Sequence, residues 1–200
     1  AARRDQLDQP FAGQELDGLA QRGARDAELR ADLAFVQPRA RRQVALDGDG
    51  RIVIAGYVHN GANSDFALAR YNADGTLDAS FGVGGIQSTD FGSEDFGQSV
   101  TVQSDGKIVV AGYAHTGFDG TSFAVARYHA DGTLDASFGT AGKLTTDFHG
   151  GNDAAYSVAV QSDGKIVVAG CTQEGDADLF ALARYNTDGS LDATFGSDGL

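Results

Sequence analysis

The sequence predicts an all-β fold: a β-propeller-type repeat of about three four-stranded antiparallel blades, each of ~57 residues. Three observations carry that prediction. A string of the form Asp-Gly-Lys-Ile-Val-Val-Ala-Gly begins at Asp49, Asp105 and Asp163. An Ala-Arg-Tyr tripeptide recurs with its arginine at Arg70, Arg127 and Arg184, two steps of 57. The string Asp-Gly-Thr/Ser-Leu-Asp-Ala-Ser/Thr-Phe-Gly recurs from Asp74, Asp131 and Asp188 at the same spacing. So literal a period belongs to stacked units that bury their apolar faces against one another.

Within a unit, the first strand is a short alternating stretch such as Ser157-Val158-Ala159-Val160-Gln161. Ser-Asp-Gly follows, then the second strand, Lys165-Ile166-Val167-Val168-Ala169-Gly170. Asp-Gly between β-branched runs is a hairpin signal, because glycine accepts the positive φ of the turn. The third strand is Phe180-Ala181-Leu182-Ala183-Arg184-Tyr185, closed by another Asp-Gly. The fourth, Gly142-Lys143-Leu144-Thr145-Thr146-Asp147-Phe148, leads into the next unit. Residue size alternates along the third strand, with Phe66, Leu68 and Arg70 on one face and Ala67, Ala69 and Tyr71 on the other. Large residues facing small ones let neighbouring sheets interlock.

Together these three motifs resemble the delta-60 repeat, a bacterial β-propeller family of uncharacterised function. The resemblance covers residues 43–200, in units of roughly 43–98, 99–156 and 157–200. It implies an array found in large secreted or cell-surface bacterial proteins, and it brings no catalytic residues with it. Three blades do not close a ring, since propellers use roughly four to eight. An incomplete propeller is therefore expected, completed by the remaining blades of a longer chain or by self-association through open blade edges.

Residues 1–42 fall outside the pattern. They hold eight Arg, no Lys and seven acids, with about 13 more residues than the spacing between blade markers allows. A weak amphipathic helix over Ala24–Val36 is expected there. An insertion, a degenerate blade and a non-native segment compete as explanations; the Arg/Ala richness favours the last, and poor order is expected.

Composition narrows the function. The net charge of −13 disfavours nucleic acid and anionic membrane surfaces as partners. A single cysteine, Cys171, excludes an intramolecular disulfide framework and a cysteine-built zinc site. It stands where the other units have Tyr57 and Tyr113, which reads as a strand-end filler. No stretch reaches the ~18 apolar residues of a helical membrane span.

Residues repeated in every unit read as structural, so Arg70, Arg127 and Arg184 are expected to pair with Asp78, Asp135 and Asp192. Function should sit where units differ, in the loops 57–65, 92–98, 113–122, 149–155 and 171–179. These carry the candidate binding residues His59, Asn60, Glu94, Asp95, His115, Asp119, His149, Asp153, Glu174 and Asp176. No catalytic, cofactor-binding or metal-ligating set stands out. Asp47-Gly48-Asp49-Gly50 resembles the start of a calcium loop, but hairpin chemistry accounts for it better. The expectation is a non-enzymatic extracellular or cell-surface scaffold that meets a protein or glycan. Its alternatives are an enzyme acting on a saccharide through acidic loop residues, and a calcium-dependent adhesion module.

Overall fold

The structure, a computed structural model, describes residues 43–116, 120–148 and 150–200. The expected helix over Ala24–Val36 lies outside these residues. All elements within them are strands, and no helix there is long and apolar enough to cross a membrane. The first blade is β1 (Gln43–Leu46), β2 (Ile52–His59), β3 (Ser64–Tyr71) and β4 (Ile86–Thr89), paired antiparallel in chain order. The second is β5 (Asp95–Val102), β6 (Ile108–His115), β7 (Gly120–Tyr128) and β8 (Lys143–Thr146), paired in the same way. The third has β9 (Gly151–Val160), β10 (Ile166–Glu174) and β11 (Ala177–Tyr185). A two-residue parallel register, Gly120 with Gly151 and Thr121 with Asn152, joins the second sheet to the third.

The first hairpin of each blade turns at Gly50, Gly106 and Gly164, all at positive φ. Their N–H groups donate to the carbonyls of Asp47, Gln103 and Gln161 at 2.9–3.0 Å. The strands run further than the sequence suggested. β5 and β9 begin at Asp95 and Gly151, ahead of the unit divisions at 99 and 157, because each continues through a bulge. Gly112 and Gly170 stand opposite these bulges, where a Cβ would meet the carbonyl oxygen of Phe96 at 2.0 Å or of Ala154 at 1.9 Å. Their recurrence after Val-Ala therefore reflects close backbone approach across the bulge.

Alternation along the third strand builds the core. On β7, Phe123 and Val125 pack toward the third blade with Val168, Ala181 and Ala183. Ala124, Ala126 and Tyr128, on the opposite face, pack toward the first blade with Phe66, Leu68 and Phe81. Each inter-blade layer thus receives large side chains from one sheet and small ones from the next. The tyrosine ending the strand crosses the layer. Tyr128 donates to Thr89 Oγ1 at 2.8 Å, and Tyr185 Oη lies 2.7 Å from Thr146 Oγ1. Burial holds both phenols in the neutral form, with Tyr185 pushed up to about 12.

The repeated arginine locks one blade to the next. Arg127 Nε donates to Asp135 Oδ2 at 2.8 Å, and its guanidinium lies 4.6 Å over the Phe138 ring. Its Nη1 reaches the carbonyl of Thr187 in the third blade at 2.5 Å. Arg70 does the same with Asp78, Phe81 and the Ala130 carbonyl of the second blade. Beside each arginine, Gly82 and Gly139 donate N–H to Asp131 O and Asp188 O of the following blade, both at 2.8 Å. Gly132 and Gly189 permit this contact, since a Cβ on either would lie 2.9 Å or 2.7 Å from those nitrogens. The basic residue after each first Asp-Gly shares the same carboxylate: Arg51 with Asp78, Lys107 with Asp135 and Lys165 with Asp192. Arg184 pairs with Asp192 and covers Phe195, but no following blade meets it among the described residues. Its side chain is 19% exposed, against 5% for Arg70 and Arg127.

Removing one partner of a buried ion pair strands the other charge. Arg127→Ala should therefore cost about 3–5 kcal/mol in urea unfolding, with an unchanged m-value. Arg184→Ala, which loses no inter-blade bond, should cost about 1 kcal/mol. The three carboxylates also set the acid limit. Asp78 is lowered chiefly by the Ser80 hydroxyl, and Asp192 by Lys165 and then Thr194. Burial opposes ionisation of Asp135, but hydrogen bonds from Ser137 and the charge of Arg127 outweigh it. Depressed carboxylates stabilise the fold fully above their unfolded value near 3.8 and lose that contribution as pH falls through the folded values. Through these carboxylates the thermal midpoint should drop steeply below about pH 4, a fall that scanning calorimetry across the acid range will detect.

Candidate functional site

The loop face is smaller than the sequence reading assumed, because strands run through most of the expected loops. The turns left between second and third strands are residues 60–63 in the first blade and 175–176 in the third, while 117–119 of the second lie outside the described residues. His59 and His115 end β2 and β6 at exposed positions in separate blades. Glu174 ends β10 and Asp176 lies in the turn after it, both exposed. Glu94 is half-buried, and its carbonyl accepts the His115 N–H at 3.0 Å. Asp119 and His149 lie outside the described residues.

Asp95 and Asp153 are not loop residues, and neither presents a free carboxylate to solvent. Each is fully buried inside the strand that opens its blade. The reason is local. Asp153 Oδ2 accepts the Phe148 N–H at 2.8 Å, and Asp95 Oδ2 accepts the Phe91 N–H, so each carboxylate closes the crossing from one blade into the next. Cys171 likewise lies within β10 and not at its end, with Sγ 3.8 Å from the Tyr156 hydroxyl. The Asp47–Asp49 turn is a hairpin turn: Asp47 Oδ1 accepts the N–H groups of Asp49 and Arg51, and Arg51 pairs with both carboxylates.

One grouping does form. Among the described residues, a single set of three or more His, Cys, Asp or Glu side chains converges closely enough to hold a metal: Asp65, Asp90 and Asp95. One carboxylate oxygen from each lies within 4.8 Å of the other two. Asp65 is buried at the start of β3, Asp90 is exposed just after β4, and Asp95 opens β5. Asn60 positions the first, donating Nδ2 to Asp65 Oδ2 at 2.9 Å while its Oδ1 caps Ala62 and Asn63. Asn63 in turn donates to the Ser93 carbonyl at 2.6 Å, tying this turn to the connector into the second blade. Burial, with the charges of Asp90 and Asp65 adding to it, raises the Asp95 carboxyl to about 6, against the Phe91 N–H and Lys143. Of the candidates read from sequence, only Asn60 and Asp95 meet here. Asp65 and Asp90 were missed.

Asp95 therefore opposes folding when ionised. A raised carboxyl contributes its stabilisation below its unfolded value near 3.8 and loses it as pH rises through about 6. Asp95→Asn, measured by thermal unfolding in chelator, should gain about 1–3 kcal/mol above pH ~7 and almost nothing at pH ~4. An equal effect at both values would show that the cluster is not what Asp95 feels.

Comparison with known proteins agrees with this architecture. No curated protein matches the chain. The sequence pattern of a family described as a domain of unknown function (DUF5122) beta-propeller matches residues 48–81, 103–138 and 161–195. Each match runs from the first Asp-Gly hairpin of a blade to the clasp that meets the following one, or to its unmet equivalent at Phe195. On these three matches the chain belongs to the DUF5122 beta-propeller family.

Proposed function

We propose that this protein is a non-enzymatic extracellular or cell-surface propeller segment that acts through its surfaces, as a scaffold binding other protein. The observation that carries this reading is the third blade's outer face. Phe180 is fully exposed and Leu182 is 41% exposed, whereas Phe66, Leu68, Phe123 and Val125, at equivalent positions, are buried under the next blade. Arg184 Nη1 and the Gly196 N–H hold the places of the inter-blade donors Arg127 and Gly139, without their partners among the described residues. On the first blade, exposed Val44 and Leu46 occupy the positions of Val100 and Val102, which pack toward the preceding blade. Ala73 and Asp74 occupy those of the acceptors Ala130 and Asp131. The two outer faces are complementary in the same way as the internal ones. The first blade of a second copy is the partner proposed for the Phe180 face.

The saccharide-hydrolysing alternative gains little support. Its chemistry needs two carboxyl groups that reach the substrate. Asp95, whose raised carboxyl suits a general acid, is fully buried. The acidic cluster sits at a single blade boundary, with Asp65 and Asp90 from the first blade and Asp95 at the start of the second, and no carboxylate of the third blade joins it.

Sedimentation velocity across a concentration series tests the proposal. The full chain should associate, and Phe180→Glu combined with Leu182→Glu should render it monomeric with an unchanged thermal midpoint. A chain that stays monomeric throughout, or that associates regardless of both substitutions, contradicts the assignment of this face.

A further inference from the structure

We infer that Asp65, Asp90 and Asp95 form a site for one calcium ion per chain, bridging the first and second blades. This does not depend on the docking reading above. Calcium–oxygen distances are about 2.3–2.6 Å, so two ligand oxygens on one ion lie at most about 5 Å apart. The three carboxylate oxygens, all within 4.8 Å of one another, meet that condition before any adjustment. The donor set is oxygen only, without histidine or cysteine, which selects a hard cation.

A second observation points to a ligand. Asp65 Oδ1 and Asp95 Oδ1 are buried without a hydrogen-bond partner, on residues 6% and 0% exposed. Buried carboxylate oxygens without a donor are costly, and no ion pair from the described residues reaches any of the three aspartates. Lys143, whose charge acts on Asp95, donates to the Asp90 backbone carbonyl at 2.7 Å and lies 5.3 Å from the Phe91 ring centre. A divalent ion among the three carboxylates would supply the positive partner that the two buried aspartates lack. The Asn60–Asp65 and Asn63–Ser93 bonds already hold the turn and the connector in place, so little ordering remains to be done on binding.

The chain contains its own control. At the next blade boundary the equivalent residues are Ser122, Asp147 and Asp153. Asp153 Oδ1 is again without a partner. The third carboxylate is gone, however, and the Ser122 hydroxyl lies 2.8 Å from Thr116 Oγ1. Calcium should therefore bind at one boundary and not the other. There it would fasten β3 of the first blade to β5 of the second.

The test is calorimetric titration of the chelator-treated full chain with calcium chloride, alongside thermal unfolding with and without the ion. One site per chain and a calcium-dependent rise in midpoint are expected. Asp65→Ser installs the residue that the second blade tolerates, and should weaken binding by at least about tenfold and abolish the shift. Asp90→Asn, at an exposed position that keeps its acceptor for the Gly92 N–H, should do likewise and guards against a folding defect in the first variant. No binding heat and no shift, or binding unchanged in both variants, overturns the site. Magnesium binding as tightly as calcium overturns the choice of ion.

Discussion

The array depends on the contact of Arg70 and Arg127 with the Asp-Gly turn of the following blade. Each guanidinium is held by groups of different origin: a carboxylate and an aromatic ring from its own blade, and a backbone carbonyl from the next. Burying such a charge is tolerable only when it is paired and hydrogen-bonded. One of its bonds goes to a carbonyl in the neighbouring turn, so the arginine is fully engaged only once a neighbour is in place. That requirement explains why the same three strings recur almost unchanged. The hairpin glycine, the arginine, the aspartate eight residues later and the phenylalanine beneath it form one device.

The device leaves the two ends of each blade unequal. Arg70 lies near the end of β3 and Asp65 near its beginning, about 17 Å apart along an extended strand. Around Arg70 the side chains are satisfied and repeat from blade to blade. Around Asp65 they vary: aspartate in the first unit, Ser122 in the second and Leu179 in the third. Relaxed repetition at one end permits a buried carboxylate cluster at one boundary and a hydroxyl pair at the next. In the third blade, which no further blade covers among the described residues, the arginine is more exposed and the large apolar face is uncovered.

The sequence made the blade legible because turn chemistry and alternation are local properties. The Asp-Gly hairpins, the large and small faces of β3 and β7, and the Arg–Asp pairing all appear in the structure as read from residues alone. The loops were harder. Polar side chains such as His59, His115 and Glu174 resemble loop residues, but backbone pairing extends beyond the apolar run because hydrogen bonds are indifferent to side-chain polarity. Bulges hid the starts of β5 and β9 by interrupting their alternation. The acidic cluster was half visible. Asp95 differed enough from its surroundings to be noticed, whereas Asp90 repeats as Asp147 and so passed for structure. Asp65 carried the one usable signal, a charge where its counterparts have none, at the edge of an otherwise literal repeat.

Native-state hydrogen exchange at three equivalent glycine amides tests the clasp most directly. The N–H groups of Gly82 and Gly139 each donate across a blade boundary, whereas that of Gly196 has no such acceptor among the described residues. If the clasp makes the blades one cooperative unit, Gly82 and Gly139 should exchange only through global unfolding, as slowly as the central amides of β6. Gly196 should exchange orders of magnitude faster. Fast exchange at Gly82 and Gly139 alongside slow exchange within the sheets would show that the blades separate while folded, and would contradict the account.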